Sequence, residues 1–147
     1  MNGMFYNCEN LKYLDLSNFN TSSVRYMNDM FSDCKNLISL DLSNFNTSSV
    51  IFMNYMFYFC ENLKYLDLSN FNTSSVTSMN DMFLYCNSLF LLNIENFDLS
   101  KNENMNNLLR GLSSLEYLYI NKANQIEQFE LQYNKNITFC VKEDIIR

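Results

Sequence analysis

The chain is predicted to be an α/β solenoid, on three observations. Cys8, Cys34, Cys60 and Cys86 stand 26 residues apart. Asn10, Asn36 and Asn62 open copies reading NLKYLDLSNFNTSSV, NLISLDLSNFNTSSV and NLKYLDLSNFNTSSV. A fourth copy starts at Ser88 (SLFLLNIENFDLS) and a fifth at Ser114 (SLEYLYIN), with the same 26-residue step. A period in the twenties means stacked coils, because one coil cannot bury its apolar face alone. The expected form is a right-handed solenoid of about five 26-residue coils. A parallel β-sheet makes one face, short helical turns make the other, and a C-terminal helix and strand cap the end.

The copy opening at Asn62 justifies each element in turn. Leu63, Leu66 and Leu68 follow the L-x-x-L-x-L pattern of leucine-rich repeats. Alternation over Lys64 to Ser69 sends Leu66 and Leu68 inward and Tyr65, Asp67 and Ser69 outward. Phe71 takes a position where many such repeats bury an Asn. Asn72-Thr73-Ser74-Ser75 are turn and cap residues. Val76, Met79, Met82, Phe83 and Cys86 then recur at a spacing that fits a helical face. The β-branched pair Val76-Thr77 predicts a brief extended piece, followed by one or two helical turns over Asn80 to Cys86.

The fourth copy keeps the apolar positions: Leu108, Leu109 and Leu112 stand for Met82, Phe83 and Cys86. Asp98 replaces Asn72 and keeps a capping side chain, whereas Asn102 replaces Val76 and predicts an irregular turn. After about Lys122 the period is lost. Ile126, Phe129 and Tyr133 predict a helix over Gln125 to Tyr133. Ile137, Phe139 and Val141 alternate over Asn136 to Lys142, which predicts an edge strand. The whole chain, 1–147, reads as one domain: a partial repeat at 1–9, full repeats at 10–35, 36–61, 62–87 and 88–113, and the last strand with its cap at 114–147.

Composition excludes several classes. Hydrophobic residues are 48% and aromatics 16%, enough for a continuous core, while Pro is absent and Gly occurs twice. No apolar run is long enough to span a membrane. Net charge is −6 without a basic block, which argues against nucleic acid and anionic membranes. His is absent, removing the commonest general base and metal ligand. No cofactor or catalytic residue is assigned, and the expectation is a non-enzyme. Met1-Asn2-Gly3-Met4-Phe5 matches Met27-Asn28-Asp29-Met30-Phe31, so the chain begins inside a repeat, as a fragment of a longer protein would. That uncapped start is expected to expose Met4, Phe5 and the edges of Leu11 and Leu14, a surface for self-association.

The unit N-L-x-x-L-D-L-S-N-F-N-T-S-S-V-x-x-M-N-x-M-F-x-x-C closely resembles the repeat of BspA-like leucine-rich-repeat surface proteins. It is nearest to their variant with F-[DN]-T-S-x-V-x-x-M-x-x-M-F-x-x-C. The likeness runs from Met1 to about Asn121. It implies a solenoid at a cell surface or secreted, acting in adhesion or recognition, with no catalytic motif to carry over.

Several constellations have chemistry to weigh. The cysteine column could form disulfides or a thiolate site, but its members point one way and Leu112 replaces one, as at a buried inert position. On the sheet's outer face, Asp15, Asp41 and Asp67 stack in a column continued by Asn93 and Tyr119. Tyr13, Ser39, Tyr65, Leu91 and Tyr117 stack beside it. Ser17, Ser43, Ser69, Glu95 and Asn121 make a third column. Stacked carboxylates suggest a calcium site or, as preferred here, Asp side chains satisfied by neighbouring Ser hydroxyls; no metal is assigned. The tyrosines either recognise a protein or other macromolecule or simply cover the sheet. Asn20, Asn46, Asn72 and Asn136 match the glycosylation pattern, which Asp98 argues is a cap instead. Five cysteines without a pairing scheme also suit a cytoplasmic protein-interaction scaffold.

Overall fold

The computed structural model describes residues 1–98, 108–121 and 137–141. Among these residues four short strands follow one another: β1 (Tyr65–Asp67), β2 (Leu91–Asn93), β3 (Tyr117–Ile120) and β4 (Thr138–Val141). They form one parallel sheet in the order β1-β2-β3-β4. Leu66 pairs with Leu92 and Leu92 with Leu118, so the register repeats the period of the sequence. β4 adds at the edge, with Leu118 opposite Phe139. The edge strand expected from the alternation in NITFCVK is therefore present. The expected helix at Gln125 to Tyr133, the irregular turn at Asn102 and the acceptor Asn136 lie outside the described residues.

Between strands, each copy is tied to the next by hydrogen bonds at fixed positions. Ile38 N donates to Lys12 O at 3.1 Å, and Phe90 N to Lys64 O at 2.8 Å. In the turn, the buried Thr47 Oγ1 donates to Asn72 O at 3.0 Å and accepts from Asn72 N at 2.8 Å. Thr21 does the same with Asn46. Asn44 Nδ2 reaches Leu16 O at 2.9 Å, and Asn70 Nδ2 reaches Leu42 O at 2.9 Å. A narrow parallel ladder follows, bridging Tyr26 to Phe52 and Phe52 to Ser78. This matches the extended piece expected near Val76.

The helical turns expected over Asn80 to Cys86 are replaced by a run of tight turns. Their backbone is incompatible with a helix, because Asp81 and Tyr85 have φ of 51° and 64°. The competing partner explains the change. Tyr55 N donates to Asn80 O, Phe57 N to Met82 O and Phe59 N to Leu84 O, all at 2.9–3.0 Å. Those amides bridge copies instead of closing a helix. Among the described residues no helix forms.

Two columns of left-handed residues recur in these turns. Gly3, Asp29, Tyr55 and Asp81 share one, and Asn7, Asp33, Phe59, Tyr85 and Gly111 the other. Gly, Asn and Asp accept this backbone readily. Tyr55, Phe59 and Tyr85 do not, and a bulky residue held there costs about 1–3 kcal/mol.

The core is one continuous cluster. Phe5, Phe31, Phe57 and Phe83 stack with centroids 5.5–5.8 Å apart. Leu66, Leu68, Phe71, Val76, Met79 and Met82 of one copy are all buried around that stack. Leu108, Leu109 and Leu112 are buried too, as their substitution for Met82, Phe83 and Cys86 predicts. The first copy is less complete: Phe5, Cys8, Leu11 and Leu14 are only half-buried.

Candidate functional site

The outer face of the sheet holds the residues picked from sequence. β1, β2 and β3 bring Tyr65, Leu91 and Tyr117 into one row, and Asp67, Asn93 and Tyr119 into the next. β4 extends the rows with Thr138 and Cys140. Tyr13, Asp15, Ser39 and Asp41 are exposed at the matching positions of the first two copies, where no strand forms.

Exposure along the face is graded. Tyr13 is 67% exposed and Tyr65 58%. Tyr117 and Tyr119 are half-buried, not open as expected. Two neighbours account for this. Phe90 stands 5.2 Å from the Tyr117 ring and 6.1 Å from the Tyr65 ring, making an aromatic run across three copies. The Cys140 side chain is hydrogen-bonded to Tyr119, which pushes that phenol's pKa up. Phe90 belongs to the face although sequence reasoning passed over it. The signal was available: the same position is Lys12, Ile38, Lys64 and Glu116 in the other copies.

The aspartates serve their own turns. Asp15, Asp41 and Asp67 each accept from the amide two residues on, Ser17, Ser43 and Ser69, at 2.9 Å. Asn93 does the same for Glu95 N at 3.1 Å. The backbone amide, helped by the Ser hydroxyl, holds Asp15 and Asp41 below the usual carboxylate range. The donor comes first from the main chain, whereas the sequence suggested the hydroxyl. Among the described residues, no three His, Cys, Asp or Glu side chains converge as a metal site.

Neighbouring features resolve in the same way. Asn46 Oδ1 accepts from Ser48 N at 3.1 Å and from Ser48 Oγ at 2.7 Å, so this acceptor-like Asn caps a turn. Ser22, Ser23, Arg25, Ser49, Ile51 and Ser75 line a shallow groove of about 630 Å³ beside those turns. All five cysteines are free. Cys34, Cys60 and Cys86 are buried, and their thiols donate to Phe5, Phe31 and Phe57 carbonyls at 3.0–3.2 Å. Burial pushes Cys34 up to about 11 and Cys86 up to about 12, leaving neutral, unreactive thiols. Among the described residues, no helix is long and apolar enough to cross a membrane.

Comparison with known proteins gives a family without an activity. No curated protein and no solved structure matches the chain. A family model does, over residues 1–137, and by that match the chain belongs to the family described as Mycoplasma protein of unknown function, DUF285.

Proposed function

We propose that the chain is a leucine-rich-repeat solenoid of the BspA-like type, working as a non-catalytic recognition module at a cell surface or outside the cell. It binds a protein or other macromolecule on the outer face of its sheet. The solenoid reading is supported by hydrogen bonds that link copies 25 to 28 residues apart in the turns. The 26-residue register of the strands supports it equally. The surface location comes from the resemblance of the repeat.

The observation that carries the binding face is the aromatic run of Tyr65, Phe90 and Tyr117 beside Tyr119. Large rings with a polar tip present contact area with little rotamer entropy to lose, and they dominate interface energetics. A flat parallel ladder offers an extended platform of this kind. The test is a screen against purified surface proteins and glycans, followed by the Tyr65→Ser/Tyr117→Ser/Tyr119→Ser variant. Affinity for any ligand found should fall by tenfold or more while the circular dichroism spectrum holds. Unaltered affinity would reject the face.

An intracellular interaction scaffold is the second reading, favoured by free thiols buried without pairing. The intact mass of the natural protein, non-reduced and with alkylation, separates the two. Glycan mass or a longer chain supports the surface module, and five alkylatable thiols on a chain starting at Met1 support the scaffold.

A further inference from the structure

The turns away from the sheet carry a second aromatic cluster that the sheet-face reading does not use. Tyr58 sits at its centre. Its ring meets Tyr55 at 5.6 Å, Phe59 at 4.6 Å and Tyr85 at 6.0 Å, all edge-on. Phe59 and Tyr85 close the cluster at 4.5 Å. Tyr55 is 39% exposed and Tyr85 40% exposed, so the cluster faces solvent.

Three of its four rings come from the left-handed positions. Elsewhere in these columns the chain places Gly3, Asn7, Asp29, Asp33, Asp81 and Gly111, which suit that backbone. Tyr55, Phe59 and Tyr85 break the local rule, and their rings return only part of their area to the core. Strain held in this way, where a compliant residue stands one copy away, points to a use outside folding.

The surroundings select the occupant. Tyr55 lies between Asp29 and Asp81 in its column, and Asp33 adjoins Phe59 in the other. Asp33 N donates to Tyr58 O at 2.8 Å, which joins the two backbones at this point. Burial is the main cause that raises the Tyr58 phenol, with Tyr85 next, and the charges of Asp33 and Asp81 add to it, so their field reaches the ring. Lys35 lies close enough to feel the Asp33 charge but is held by Glu9 at 2.6 Å. Ring faces attract cations, and flanking carboxylates add to the pull.

We propose that this aromatic cluster binds a lysine or arginine side chain presented by a partner protein. The rings take the ammonium or guanidinium, and Asp29, Asp33 and Asp81 complete its neutralisation. The site is separate from the sheet face, so each reading can fail without the other.

The probe is a fluorescent peptide alternating Gly and Arg, compared with its Gly and Glu counterpart, at physiological salt. The native chain should bind the Arg peptide and not the Glu peptide. Tyr55→Gly/Tyr85→Gly suits the left-handed backbone and keeps the net charge. It should weaken binding about tenfold, the worth of two exposed cation–ring contacts. Asp29→Asn/Asp81→Asn keeps the rings and should also weaken binding. Tyr55→Asn/Tyr85→Asn, which keeps the net charge and also suits the left-handed backbone, decides the matter should the first variant not fold. No binding by the native chain would overturn the proposal. So would undiminished binding by a folded Tyr55→Gly/Tyr85→Gly variant, which would mean attraction to diffuse charge alone.

Discussion

Thr47 has one hydroxyl, and Asn72 occupies both of its hydrogen-bonding roles. Replacing it with Val keeps the shape and leaves the Asn72 amide and carbonyl unpaired in a part-buried turn. Thr47→Val should therefore destabilise the protein by about 1–3 kcal/mol, read from urea melts. Thr47→Ser, which keeps the hydroxyl, should lose clearly less. The sequence marked F-N-T-S-S as a turn with a cap, and Asn46 and Asn72 do cap it. It did not reveal that Thr47 and Asn44 reach across to other copies. A partner some 25 residues away leaves no trace in local spacing. The aspartate column was legible in position but not in role, because the donor is a backbone amide that every residue carries.

At the scale of elements, the strands from the third copy onward were legible, whereas the first two copies form none where alternation expects one, and the turns were not legible. Leu66, Leu92 and Leu118 sit where alternation puts them, since a parallel register with a constant period leaves no other choice. The segment from Val76 to Cys86 also buries the residues expected. Its apolar spacing is shared by a helix and by a stack of tight turns, and amides satisfied by the next copy decide between them. The left-handed residues those turns require give a further prediction. Gly111 has φ of +80°, and a Cβ there would lie 3.0 Å from Tyr85 N. Gly111→Ala should cost about 1–3 kcal/mol by the strain alone. Gly3, whose added Cβ would meet only Tyr6 Cβ at 3.5 Å, should accept Asn or Asp with little change. Thermal melts of Gly111→Ala and Gly3→Asp compare them directly.

For the molecule as a whole, the buried thiols make stability depend on alkaline pH. An unfolded thiol titrates near 9.0, whereas burial raises Cys34 to about 11 and Cys86 to about 12. Protons are thus held more tightly by the folded state. Their contribution is complete below pH 9 and is lost as pH rises through 11 to 12. The urea midpoint should fall between pH 9 and 11, and the Cys34→Ala/Cys86→Ala variant should show a shallower fall. An identical slope in both proteins would exclude Cys34 and Cys86 as the cause. The bonds between copies have a consequence for how such a chain can change. Each copy offers its successor the donors and acceptors that it receives from its predecessor, as Asn44 and Asn70 show. Removing 36–61 would leave Asn70 facing Leu16 and Thr73 following Thr21, with every pairing type conserved. Units this interchangeable in sequence and bonding should let a chain gain or lose whole 26-residue copies and still satisfy its backbone, so the length of the outer face is free to vary.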